Sequence, residues 1–345
     1  MRLNNQPKIR KMNNCKFFEL KKSILLFFVL SLIFFGCAKN ISCQWTYYSP
    51  ANINDGIQVG SLKEVNMDSN LIAKAIGRIC RGKYKELHSM LIYKNDKLVL
   101  EEYFSGHKYQ WDAQGYRGEL VNWNRDMFHS TMSCTKSFTS ACIGIAVYQG
   151  FIADVHQSIF DYLPDHQYLK TDNREYITIE HLLTMTSGLA WDEWGAAHGT
   201  SANDIDSTQW TQYENGMYDA AGSLKLTPRD MLKLGVTYLN DGVWNGTRII
   251  SSEWVEKSSK SYNNNVGIKP PLEDSGESGY AYLWWTSVLS HAGDEIQIFR
   301  ADGWGGQAIM VFPELDMVVV FTGGNYSAKS SLFEIIEKYV LLAVQ

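Results

Sequence analysis

The chain lacks the features that point to nucleic-acid, redox or metal chemistry. Its 32 Lys and Arg are outnumbered by 37 Asp and Glu, giving a net charge of −5. No basic stripe with interleaved aromatics is present, which argues against a nucleic-acid partner. The six cysteines, at 15, 37, 43, 80, 134 and 142, form no Cys-x-x-Cys and no Cys/His cluster with metal-ligand spacing. No metal and no cofactor are therefore expected. Proline is scarce, 7 against 27 glycines, and no low-complexity tract or internal repeat appears. What is present is a 45% hydrophobic, 13% aromatic composition over 345 residues, enough to bury one large core or two modest ones.

No apolar run reaches the roughly 20 residues of a membrane span. The longest, Ile24 to Phe35, follows Lys16, Lys21 and Lys22 and has the length of a signal-peptide core. It closes in Phe34-Phe35-Gly36-Cys37, which resembles a bacterial lipoprotein cleavage site despite the bulky phenylalanines. The reading taken is a lipid-anchored Cys37 on an exported protein, in the periplasm or at the cell surface, held to the membrane by its N-terminus. An uncleaved anchor or a plain secretory signal are the alternatives. Residues 1–37 are then signal, 38–68 linker and 69–345 the domain, with a helical lobe at about 120–260. Cys43 and Cys80 could pair in an exported protein, but spacing alone leaves this open. Cys134 and Cys142 read as small buried apolar residues. No coiled-coil pattern argues for an oligomer, and a monomer is expected.

The order of elements predicts an α+β fold, an antiparallel sheet flanked by helices beside a mostly helical subdomain. Ser69 to Arg81 has helical spacing, and Ser89–Tyr93 and Leu98–Tyr103 flank Asn95-Asp96 as a β-hairpin. Ser137 to Gln149 is nearly all apolar and predicts a helix buried on every side, capped by Gly150. Thr178 and Thr227-Pro228-Arg229-Asp230 are helix starts. Strands are expected at Ala281–Thr286, Glu295–Arg300, Ala308–Phe312 and Met317–Phe321, and a last helix over Ser327–Val344.

Ser133-Cys134-Thr135-Lys136 heads the apolar helix. A serine and a lysine three residues apart lie on one helical face and can pair a nucleophile with its own base. At a helix N-terminus, unpaired N–H groups and the positive dipole end would also favour an oxyanion. Spacing alone is weak, because Ser105-Gly106-His107-Lys108 repeats it in a strand-like stretch. Without further support, Ser133 reads first as a helix cap and Lys136 as a solvated side chain.

The support is a resemblance. Leu98–Phe104 (LVLEEYF), Ser133–Ala146 (SCTKSFTSACIGIA), Ile177–Leu189 (ITIEHLLTMTSGL), Leu226–Asn240 (LTPRDMLKLGVTYLN) and Ala301–Gly324 (ADGWGGQAIMVFPELDMVVVFTGG) resemble segments of the serine β-lactamase and penicillin-binding-protein superfamily. The likeness is to its class C-like branch of esterases and 6-aminohexanoate-dimer-hydrolase-like enzymes, and covers roughly residues 85–345. It implies a β-lactamase/transpeptidase-like fold and an acyl-enzyme on Ser133 with Lys136 as base. It implies a backbone wall at Gly303-Trp304-Gly305-Gly306 and a small ester or amide substrate. The Lys or His that the family carries at that wall is missing, which counts against a dedicated β-lactamase or a cell-wall peptidase. The family's Tyr-x-Asn base motif has one literal match, Tyr213-Glu214-Asn215, in a segment shorter than the family pattern. Either Tyr213 is the base with Asn215 beside it, or the match is chance and the chain is an impaired enzyme or a binding protein. Trp191, Trp194, Trp210 and Tyr213 would border the cleft or fill the lobe core.

Overall fold

A computed structural model describes residues 45–190, 210–212, 216–263 and 265–345. Among these, seven strands form one antiparallel sheet: β1 (Leu87–Lys94), β2 (Lys97–Tyr103), β3 (Gly279–Tyr280), β4 (Trp285–His291), β5 (Asp294–Gly303), β6 (Gln307–Phe312) and β7 (Met317–Gly323). Their order is β2-β1-β7-β6-β5-β4-β3, so the two ends of the chain meet where β1 pairs with β7. The β1–β2 hairpin turns at Asn95 and Asp96, both at positive φ (47° and 59°), the conformation that a two-residue turn requires and that Asn and Asp tolerate.

β1, β6 and β7 are buried along their whole length, which explains why their sequences run apolar instead of alternating. Successive side chains still face opposite ways. Met90, Ile92, Met310, Val319 and Phe321 enter one core, with helix α1 (Ser69–Cys80) and the terminal helical segment. Leu91, Tyr93, Ile309, Val318 and Val320 enter the other. That second core is shared by α2 (Cys134–Tyr148), α3 (Ile179–Leu183), α4 (Pro228–Leu239) and α5 (Ser252–Ser259). Each such aliphatic side chain contributes about 1.5–3 kcal/mol by leaving water. α4 lies close on the sheet because Gly235 has no side chain: a Cβ there would come within 2.6 Å of Val318 and 2.8 Å of Ile309.

The predicted helix starts are built as capping theory requires. Thr178 accepts from the His181 N–H while His181 Nδ1 accepts from Thr178 N–H, and Thr227 accepts from the Asp230 N–H. Arg229, buried in the first turn of α4, binds Glu101 of β2 (2.7 and 2.9 Å), Asp55 and the Ala51 carbonyl. Although burial opposes it, hydrogen bonding from Arg229 and then Arg125 holds the Glu101 carboxyl down at about 2.

Four expectations are corrected. The stretch read as linker up to residue 68 is already packed: Ile57, Leu62, Val65 and Met67 are buried, and Met67 bridges to Val344. Of the strand placed at Ala281–Thr286 only the last two residues are strand, the start of β4, because residues 281–284 make a tight turn after β3 with Leu283 at φ 58°. The last helix starts at Leu332, not Ser327, and runs through a π turn at Ile336–Val340. Nor is α2 buried on all sides: Ser137, Ser140, Ala141 and Gly144 pack inward, whereas Cys142 and Tyr148 are exposed. An all-apolar run carries no periodicity that could have shown this. No helix among the described residues is long and apolar enough to cross a membrane. Cys37 and Cys43 lie outside the described residues, so the structure says nothing of the anchor or of pairing with Cys80.

Candidate active site

Ser133 stands at the N-cap of α2 but does not act as a capping residue, since its side chain makes no cap hydrogen bond. The hydroxyl instead meets Lys136, whose Nζ lies 2.9 Å from Ser133 Oγ. Lys136 Nζ also donates to the Ala221 carbonyl at 3.0 Å. The preceding residue, Met132, has φ 47°, a left-handed conformation that costs about 1–3 kcal/mol for a non-glycine residue and persists only where its surroundings impose it. The helix N-terminus offers fewer free donors than expected. The N–H groups of Cys134, Thr135 and Lys136 are taken by the carbonyls of Thr131, Met132 and Ser133 in a tight first turn.

A strap of residues 220–226 runs along this helix and is fastened by three threonines at helical spacing. Thr139 Oγ1 donates to the Ala220 carbonyl (2.9 Å), Thr135 Oγ1 accepts from Leu224 N–H (3.2 Å), and Thr131 Oγ1 donates to the Leu224 carbonyl (2.9 Å). A short ladder pairs Ser130 with Lys225 and His129 with Leu226. The strap therefore fixes the carbonyl that holds Lys136. The threonine spacing was readable in the sequence, but nothing there named its partner.

The glycine wall divides. Gly303, ending β5, faces the turn before Ser133: a Cβ there would lie 2.4 Å from the Thr131 carbonyl oxygen and 3.2 Å from Met132 Cβ, so only glycine fits. Trp304, Gly305 and Gly306 turn toward the chain after β7. The Trp304 indole donates to the Tyr326 carbonyl (2.9 Å), and a Cβ on Gly305 would strike the Tyr326 ring at 2.3 Å. Of the four residues, Gly303 therefore abuts the turn before Ser133 and Trp304 and Gly305 contact Tyr326; the turn's need for φ of 88° and 93° accounts for Gly305 and Gly306. Ala301, 1% exposed, shares the core with Cys134 on that face of β5.

The opposite face of the same strand carries charge. Arg300 is fully buried, paired with Asp302, and donates to the Ser287 and Ser278 hydroxyls. Burial, with Asp302 nearby, pushes the Glu273 carboxyl up to about 9. Burial also raises the Cys134 thiol well above its ordinary value, aided by Asp302 and Glu273, so this neighbour of Ser133 stays a thiol.

Beneath the turn lies a stack that sequence reading missed. Trp123 stacks on both the His129 ring (centroids 4.0 Å) and the His88 ring (4.6 Å), and the two histidine rings lie 5.5 Å apart. His88 and His129 are 1% and 3% exposed, and burial lowers the pKa of both. Glu86 approaches His88 Nε2 only to 3.7 Å and binds His107 instead. Isolated histidines in separate segments leave no pattern from which such a stack could be foreseen.

Tyr213, Asn215, Trp191 and Trp194 lie outside the described residues. Trp210 is half-buried and donates to the Asp219 carbonyl at 2.7 Å. Among the described residues no group of three or more His, Cys, Asp or Glu is placed to hold a metal ion. A groove of about 490 Å³ lined by Ile57, Tyr93, Val236 and Trp244 shares no residue with the site.

The family model described as Beta-lactamase matches residues 88–204, the stretch that contains Ser133 and Lys136. That stretch is similar to the beta-lactamase family. Solved structures share the overall fold. A family VIII carboxylesterase superposes with a TM-score of 0.56 at 12% identity, covering 85% of this chain and 99% of its own. A penicillin-binding-protein homologue from Pyrococcus abyssi, described as octameric, gives 0.52 at 16%, covering 79% and 77%. A candidate 6-aminohexanoate-dimer hydrolase from Bacillus anthracis gives 0.51 at 18%, covering 83% and 82%. At these identities the likeness is one of fold. No curated protein matches the sequence.

Proposed function

We propose that the chain is a serine hydrolase that cleaves a small ester or amide through an acyl-enzyme on Ser133, with Lys136 as base. The observation that carries this is the 2.9 Å contact between Lys136 Nζ and Ser133 Oγ, with the hydroxyl free of capping duty. In its amine form Lys136 takes the hydroxyl proton as Oγ attacks the carbonyl carbon, then returns a proton to the departing alcohol or amine. Water hydrolyses the ester on Ser133 by the same exchange in reverse. The Ala221 carbonyl keeps Nζ in place in either protonation state, since it needs only one of the lysine's hydrogens. The ester and amide classes rest on the carboxylesterase and 6-aminohexanoate-dimer hydrolase among the structural neighbours. The Gly303-Trp304-Gly305-Gly306 wall carries no Lys or His for an anionic substrate, which favours a neutral one.

A fluorophosphonate probe on the full-length protein tests the reading. Labelling is expected in the wild type and absent in Ser133→Ala; a folded wild type that takes no label would leave the impaired, binding-only reading in its place. Export and an acyl chain on Cys37 are part of the same proposal. Labelled fatty acid should enter the wild type and not Cys37→Ala; equal incorporation in both would remove the anchor.

A further inference from the structure

Trp304 leaves β5 one residue beyond Gly303, which touches the nucleophile's turn. Its ring is not part of either hydrophobic core but of a third aromatic group. It stands edge-on to Tyr116 (centroids 4.9 Å, 77°) and Tyr326 (5.0 Å, 71°). Tyr109 meets Tyr326 edge-on at 4.9 Å and stacks on Tyr116 at 5.9 Å, and Trp111 lies 6.1 Å from Tyr116. The cluster thus grades from Tyr326, 5% exposed, to Trp111, 41% exposed.

Tyr109, Trp111 and Tyr116 come from one hairpin, Ser105–Tyr109 paired with Arg117–Asn122, and its connecting turn. That turn holds Tyr116 at φ 60°, beside Gly115 at 65°. A bulky side chain rarely adopts this conformation, and the turn spends it on laying Tyr116 against Trp304. Trp111 is exposed, and Tyr116 and Trp304 are half-buried. Ring faces and edges open to solvent, continuous with a residue that abuts Thr131 and Met132, are what an apolar group of a bound molecule would pack against.

We propose that Trp111, Tyr116 and Trp304 form a subsite for an aromatic or long apolar group of the substrate, flanking the bond attacked by Ser133. This rests on the reading of Ser133 as nucleophile for its catalytic meaning, whereas the binding itself does not. The substrates favoured are then neutral esters or amides bearing a ring or an alkyl chain.

The test uses the full-length Ser133→Ala protein, which cannot turn substrate over, and ligand-detected NMR titration with phenyl acetate and ethyl acetate. Phenyl acetate should bind at least about threefold tighter. Adding Trp111→Ala should weaken phenyl acetate by about three- to tenfold more than ethyl acetate, and Trp111→Phe should restore most of the difference. If Trp111→Ala does not fold, Trp111→Gln is measured the same way. A preference that survives loss of the indole overturns the subsite. In the protein with Ser133 intact, the kcat/KM ratio of the two esters should fall in parallel through KM. Ring binding without fluorophosphonate labelling would remove the nucleophile and keep the subsite; labelling with a ratio indifferent to Trp111 would do the opposite.

Discussion

Serine and lysine stand three residues apart twice in this chain, at Ser133 and Lys136 on a helix and at Ser105 and Lys108 on a strand. On the helix the two side chains share a face and meet at 2.9 Å. On the strand, positions three apart point to opposite sides, and each side chain finds its own partner. Ser105 Oγ donates to Asn122 Oδ1 at 2.6 Å, and Lys108 Nζ to Glu119 at 2.7 Å on the surface. The same four-residue spacing is a direct contact in one backbone and two unrelated hydrogen bonds in the other. The chemistry belongs to the periodicity, not to the letters.

The comparison can be broken most directly at the lysines. Lys136→Ala should lower ester hydrolysis by about 10²–10⁴-fold, the range of general acid–base help. Lys108→Ala should leave it within about twofold, since its ion pair is exposed and such pairs are worth at most about 1 kcal/mol. Equal losses at both positions would end the distinction.

A smaller effect is expected at the wall. Gly303→Ala pushes a methyl into the Thr131 carbonyl and should displace the turn before Ser133. Misplacement on the order of 1 Å costs about 10²-fold in kcat. Gly306→Ala, where a Cβ would meet nothing within 4 Å, should act on stability through its φ of 93° and spare kcat. The ratio of kcat to Tm loss in the two variants checks this.

The helical copy is also rooted in the histidine stack, and this sets its response to acid. His88 and His129 are held neutral by burial, with folded pKa values below 6.5. Their contribution is complete above pH 6.5 and lost as pH falls beneath it, because the unfolded chain takes up protons that the fold refuses. The slope should approach about 1.4 kcal/mol per pH unit for each histidine. Glu86, held at about 2 against its own burial by the nearby His88 and by hydrogen bonds with His107, adds a further loss below pH 4.5. Urea unfolding between pH 7.5 and 5 measures it, and His129→Gln should flatten the curve. The smallest difference is expected for Ser105→Ala, within about 0.5 kcal/mol of wild-type stability.

Much of this was legible before any coordinates. The hairpin at Asn95-Asp96, the caps at Thr178 and Thr227 and the central strands announce themselves through local rules, because short-range hydrogen bonds decide the first two and short apolar runs bounded by turn residues mark the last. Ser133 and Lys136 were legible because their contact is local as well. What failed was non-local or unpatterned. The apolar length of α2 hid its exposed side at Cys142 and Tyr148. Four consecutive residues, Gly303 to Gly306, were one motif on paper and two destinations in space, since a strand ends between them. The packing of Leu62 and Met67 against distant helices overrode a polar neighbourhood that reads as linker.

The lysine's second partner is a main-chain carbonyl, that of Ala221. Its side chain contributes nothing to the grip, so position 221 is free to drift in evolution without loosening Lys136. What heredity must preserve is a path, the course of residues 220–226 past three threonine hydroxyls. Such a device leaves almost no trace in the identity of the residue that performs it. It is damaged by insertions, deletions or a proline that reroutes the strand, and is nearly blind to ordinary substitution.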